Sequence, residues 1–316
     1  MRKLFYFFIS IFFFFSCEKD NTANVNSNIG YICDDNNCVE SSNTWDYDTI
    51  EECQQNCLIN DNSKSIEIIY NIHESLPDSW IDEFYLIMNN LISIIPSFIY
   101  SPDNLTIYAW NDAVEDPYVG IQGGSYLSGS SDGLILVLEI PEMEFDFNHM
   151  HRYSVIAHEY FHVYQMSLNE SMRNNNFNIM WLIEGTSATF ESIYMQNFYD
   201  YNYFIYDQNN ISDQVYSSPN VFENYNTMDV NYSSAVFMTL VLVKELVNLG
   251  HSEEDACKMI FQDFMTLSPS DQNWEFIFEE TFGISVPDFY EILQSYPLNI
   301  SQVLPSQSIS IEQIFN

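Results

Sequence analysis

Lysine and arginine together number only eight, against 45 aspartates and glutamates, a formal net charge of −37 over 316 residues. That shortage excludes nucleic acid as a partner, because no basic stripe exists to neutralise phosphates. It also makes an anionic membrane surface repulsive unless a covalent tether holds the protein there. No internal repeat is present, and the hydrophobic content of 47% is enough for one sizeable globular domain with a small accessory. Paired Cys-x-x-Cys spacings are missing too, so the cluster Cys33, Cys38, Cys53 and Cys57 fits a structural metal site poorly. In an exported chain, an even and dense cluster of this kind reads as two disulfides, with three pairings open. Cys257, inside an apolar-periodic run, reads as a buried thiol.

The N-terminus supplies the export signal that this reading needs. Arg2 and Lys3 precede an apolar run from Leu4 to Phe15, too short to cross a bilayer of ~30 Å, followed by Ser16 and Cys17. A small residue before a cysteine at the end of such a run resembles the lipobox of bacterial lipoproteins. The resemblance implies a signal peptide over residues 1–16 and a lipid on Cys17; the other reading is an ordinary secretory signal. Removal of residues 1–16 leaves six basic residues against 45 acidic ones, and a lipid is the tether that so repelled a surface requires. Residues 17–30 are polar and small and read as a tether. Residues 31–60 read as a disulfide-rich mini-module, whose end resembles the closing turn of Kunitz-type domains without their basic inhibitory residue.

The main domain is expected over residues 61–316. Ile66–Tyr70 and Leu105–Trp110 read as strands, and Leu134–Ile140 is the strongest strand signal in the chain. Helical spacing runs from Trp80 to Ile95 and ends at Pro96. It returns over 148–168, 180–198, 233–249, 253–267 and, in two pieces, 272–296. The Gly- and Ser-rich stretch 120–133 reads as a loop. Residues 199–230 read as a long connection that lines or covers a site. Strands first and helices after argue for an α+β fold without alternating βαβ units.

The chemistry is concentrated in His158-Glu159-Tyr160-Phe161-His162. Two histidines four apart on a helix project from one face, about 6 Å apart along the axis, close enough to hold one ion. The acid between them sits where it can take a proton from a metal-bound water. Five residues alone recur by chance. The addition that matters is Glu184, 22 residues after His162, a spacing that lets one helix end and a second bring a carboxylate back. Two imidazoles and a carboxylate form the three-ligand set of a catalytic zinc site with one position open, and zinc is the default ion for that set.

With His158-Glu159-x-x-His162, Glu184-Gly185 and Glu191 in hand, the segment from about residue 134 to 250 resembles the gluzincin metallopeptidases, the thermolysin-like group that includes the metallo-aminopeptidases. The resemblance implies Zn²⁺ on His158, His162 and Glu184, with Glu159 as general base and then acid. Glu191, two turns beyond Glu184, either reaches the free ring nitrogen of a ligand histidine or stands as a solvated helix glutamate. Tyr232 maps onto the transition-state tyrosine of the aminopeptidase branch, although the glycine expected three residues later is Ala235; the alternative is that Tyr232 merely packs. Leu134–Ile140 takes the place of the substrate-binding edge strand. Glu139 and Glu142 approximate only loosely the glutamates that grip a free amino terminus, which favours an endopeptidase. Gln165 is assigned no role, and His73, His149, His151 and His251 receive structural readings. The expected partner is a peptide or protein substrate, with a membrane reached only through the lipid. A surface binding protein that keeps the fold without the chemistry, and a zinc hydrolase of another amide or ester, are the alternatives.

Overall fold

The computed structural model describes residues 30–34, 37–41, 49, 66–95, 104–130, 133–225 and 228–316. The chain divides into two compact units between Asn62 and Ser63. In the first, strands β1 (Gly30–Asp34) and β2 (Asn37–Ser41) pair antiparallel in a register that sets the backbone of Cys33 opposite that of Cys38. Cys17, Cys53, Cys57 and the signal segment lie outside the described residues.

The second unit is α+β. A four-stranded mixed sheet comes first and a mostly helical region follows. Strands β3 (Glu67–Ile72), β4 (Asn104–Asn111), β5 (Ser125–Ser130) and β6 (Gly133–Ile140) lie in the order β3-β4-β6-β5. The β3–β4 and β4–β6 pairs are parallel, and β5–β6 is antiparallel. Parallel neighbours need a crossover. Helix α1 (Asp78–Ile94) supplies the one between β3 and β4, a βαβ step that the order of elements did not predict. Its apolar stripe of Trp80, Phe84, Ile87, Met88 and Leu91 is buried.

Two expectations change here. Leu134–Ile140 is not an edge strand. Leu134, Leu136, Val137, Leu138 and Ile140 are all buried, and a strand apolar on both faces belongs in the interior of a sheet. The edge on that side is β5, drawn from the stretch expected to be a loop. Its Ser-Tyr-Leu-Ser-Gly-Ser sequence suits a strand with one side open to solvent. Glu139, moreover, ties that edge to β4: it accepts from Trp110 Nε1 (3.1 Å) and from the Gly124 amide just before β5 (2.7 Å).

Three long helices make the rest of the core. Helix α2 (His151–Leu168) packs against β5, β6 and α1, and α3 (Met180–Tyr199) lies across both α2 and α4 (Asp229–Asn248). Neither α2 nor α3 has a broad solvent face, so neither shows the one-sided apolar stripe of a surface helix. Helix α4 is long and apolar enough to cross a membrane by length and composition, and most of its apolar window is buried inside the fold. Between α3 and α4, residues 200–225 carry only short helical turns.

The α3–α4 approach is closest at Gly185. A Cβ there would lie 2.7 Å from the Ala235 carbonyl oxygen and 2.9 Å from Thr239 Oγ1, so no side chain fits without parting the helices. Gly185 follows Glu184 directly, and the wedge fixes the turn of α3 that carries that carboxylate.

Candidate metal centre

Helix α2 is nearly all buried, yet it carries His158, Glu159 and His162, which are 8%, 7% and 7% exposed. Polar groups this deep need partners, and they find them in one another and in α3. His158 Nε2 and His162 Nε2 are 3.2 Å apart, and each lies 3.2–3.3 Å from Glu184 Oε2. A tetrahedral ion held at about 2.0–2.1 Å by each donor spaces those donors about 3.3 Å apart. The triangle therefore has the size of a zinc-sized ion's ligand set, and these three residues form a group able to hold a metal ion.

The outer ring nitrogens are also engaged. His158 Nδ1 donates to Glu191 Oε2 (3.0 Å) and His162 Nδ1 to Gln165 Oε1 (2.7 Å). The Gln165 amide is oriented by its own donors, which go to the Ile183 carbonyl (3.0 Å) and Thr186 Oγ1 (2.7 Å). Since that carbonyl only accepts, the amide oxygen is left to face His162. Ser187 Oγ completes the cluster, 3.1 Å from His162 Nδ1 and donating to the Ile183 carbonyl. Both imidazoles are thus held with Nε2 inward and Nδ1 outward.

Electrostatics follow from that packing. Burial alone pulls the His158 and His162 imidazoles down, but the bonds and charges of Glu184, with Glu191 for His158, outweigh it and raise both. Burial pushes the Glu184 and Glu191 carboxyls up, and the histidines more than reverse this, leaving both below the usual range. Glu159 differs. Burial pushes its carboxyl above the ordinary value, and His158 and His162 only partly offset the rise.

Glu159 and Tyr232 line an open cavity of about 570 Å³ together with His158, Glu191 and Ser125 of the edge strand. Tyr232 sits in the first turns of α4, its ring 6.0 Å from that of His158 and edge-on to it. Every described residue proposed from the sequence for this site, namely His158, Glu159, His162, Glu184, Glu191 and Tyr232, is brought to one place. Glu191 is 4% exposed, so it is no solvated helix glutamate.

Gln165 and Ser187 were missed. The available signal was spacing: Gln165 lies one turn past His162 on the same helix, and Ser187 one turn past Glu184. His149 and His151 also line the cavity, where a structural role was expected. His251 sits past the end of α4, exposed, and His73 accepts from the Ser75 amide through Nδ1. No family model, curated protein or solved structure matches the chain; the gluzincin resemblance stands on these residues alone.

Groups that orient metal-binding histidines are worth about 10- to 100-fold in metal affinity. Gln165→Leu and Glu191→Leu are each expected to weaken metal binding by that amount, read by competition with a chromogenic chelator. An unchanged affinity in both variants would remove the orienting role.

Proposed function

We propose that this chain is a zinc-dependent peptidase that cuts within peptide chains, with Glu159 carrying the proton. The observation behind the reading is the donor triangle of His158, His162 and Glu184, with Glu159 on the wall of the same cavity. Zinc, when bound there, lowers the pKa of a coordinated water towards ~7 and polarises a substrate carbonyl. Glu159 accepts the proton that the attacking water releases, and burial favours the protonated carboxyl that results. The same proton passes to the leaving amine as the C–N bond breaks, which returns Glu159 to its carboxylate form. Glu191 and Gln165 keep both imidazoles oriented throughout.

Tyr232 is the candidate donor to the developing oxyanion. Tyr232→Phe keeps the ring beside His158 and removes only the hydroxyl. It is expected to lower kcat by about 10²-fold, the size of one lost oxyanion donor, with little change in KM. Equal kcat values for the variant and the parent would reduce Tyr232 to a packing residue.

The direct test joins a zinc-to-protein ratio with a proteomic cleavage profile. One zinc per chain and chelator-sensitive cuts are expected; bound zinc without cleavage of any peptide in a broad library would instead favour a binding protein. Arg2, Lys3, the run from Leu4 to Phe15 and Cys17 support export and a lipid tether in a bacterial envelope. Mass spectrometry of the mature N-terminal peptide is expected to find a lipid-modified Cys17, and an unmodified cysteine there would sink that part of the reading.

A further inference from the structure

The cavity continues beyond the donor triangle along the first turns of α2, and two acids, each beside a histidine, line that end. Glu144, from the short helix Glu142–Asp146, and Asp207, from the connection after α3, both line it, and among the described residues no lysine or arginine does. Each acid holds a histidine of the α2 start. Glu144 Oε1 lies 2.7 Å from His151 Nδ1, and Asp207 Oδ1 lies 3.5 Å from His149 Nε2. Tyr201 also donates to Asp207 Oδ2 (3.3 Å).

Glu144 is only 9% exposed, and its second oxygen, Oε2, is buried without a hydrogen-bond partner. A carboxylate oxygen left this way is poorly solvated, a cost that a positive charge on the cavity side would offset. The segment is firmly placed. Buried Arg152 donates to the Glu144 and His149 carbonyls and to Asn148 Oδ1, so its charge is taken up by the loop and not by the cavity. A second metal ion does not fit. The two acid–histidine pairs stand apart, with ring centroids of His149 and His151 6.4 Å from each other. Among the described residues only His158, His162 and Glu184 converge closely enough to hold an ion.

We propose that this end of the cavity is a specificity subsite for a cationic group of the substrate, an ammonium or a guanidinium, bound by Glu144 and Asp207. The substrate class rests on the peptidase reading above. His151 precedes His158 by seven residues, about 10 Å along the helix, or about three residues of extended peptide. The cation therefore belongs to a residue within three positions of the scissile bond. Two sources fit that chemistry: a lysine or arginine side chain, and a free α-amino group.

The test uses the full chain loaded with zinc and a set of quenched peptides carrying Lys, Arg, Met or Glu at each of those positions, in N-acetylated and free-amine forms. The wild-type protein is expected to favour cationic over Met peptides by about 10- to 100-fold in kcat/KM, the size of one or two charge-assisted hydrogen bonds. In Glu144→Gln/Asp207→Asn that ratio falls to near one, and Asp207→Lys turns it towards the Glu peptides. Asp207→Asn alone, at the more open carboxylate, keeps the test available should the double variant fail to fold. A preference that survives acetylation assigns a side chain, and one lost on acetylation assigns the amino terminus and overturns cutting within the chain while leaving the subsite. The same peptides are titrated against zinc-loaded Glu159→Ala to read binding without turnover. Cleavage with no cation preference overturns the subsite and leaves the peptidase. Cation-selective binding with no cleavage by the wild type overturns the peptidase and leaves the subsite. Neither binding nor cleavage overturns both.

Discussion

Glu159→Ala is expected to lower kcat by about 10³- to 10⁴-fold on any peptide that the parent protein cleaves, while the zinc content stays at one ion per chain. General acid–base groups contribute about 10²–10⁴, and the upper part of that range applies because no other described carboxylate pairs cavity access with freedom from a fixed partner. Glu191 is engaged by His158 and Glu184 belongs to the donor triangle. The methyl group leaves His158, His162 and Glu184 in place, so metal binding and turnover separate. Steady-state rates alongside metal analysis make the check. Activity within tenfold of the parent, or loss of the zinc itself, would contradict the assigned role.

Stripping the metal is expected to lower the melting temperature by on the order of 10 °C and to reverse the way the site responds to pH. An ion present at 1,000 times its dissociation constant stabilises the fold by about 4 kcal/mol, and each kcal/mol moves the midpoint of a domain this large by about 2–4 °C. The sign of the pH effect comes from the histidines. In the metal-free site the carboxylates around His158 and His162 raise both above the ordinary histidine value. Their stabilising contribution is complete below the unfolded value and is lost as pH rises through the raised folded value. What remains at higher pH is a buried group of carboxylates beside neutral rings. With metal present the deprotonated rings are the binding form, so affinity grows with pH over the same window. Thermal unfolding at pH 6, 7 and 8, in chelator and in zinc, therefore gives trends of opposite slope for the site's contribution. A chelator-insensitive melting temperature, or metal-free stability that climbs from pH 6 to 8, would refute the assignment.

The sequence carried the site further than it carried the sheet, and the reason is physical. Helical period and the His158–His162 spacing are local, so they are written in a few consecutive residues. Glu184 was legible because a polar linker and a second periodic run frame it. Strand order is not local: nothing within Leu134–Ile140 says which neighbours it will have. The edge reading rested on its position ahead of the metal helix in the family it resembles, whereas an unbroken apolar run is the mark of a strand buried on both faces. The β5 strand was hidden because glycine and serine have low strand propensity, and Ser125–Ser130 is held by pairing with β6. Gln165 was illegible for another reason. Its role depends on the direction of an amide that the Ile183 carbonyl sets, from 18 residues away along the chain. The proposed acidic subsite joins Glu144 to Asp207, 63 residues apart in the chain, and left no periodic trace.

The three prospective donors and the side chains that hydrogen-bond them lie between His158 and Glu191, on two helices joined by one linker, whereas Ser125, Glu144, Asp207 and Tyr232 arrive from separate parts of the chain. Ion capture is thus a short-range property of a helical hairpin, the kind of low-contact-order structure that assembles early, and substrate choice is a long-range property of the surrounding wall. The two are separable in descent. On the proposed reading, substitutions in the wall redirect which peptides enter without loosening the ion.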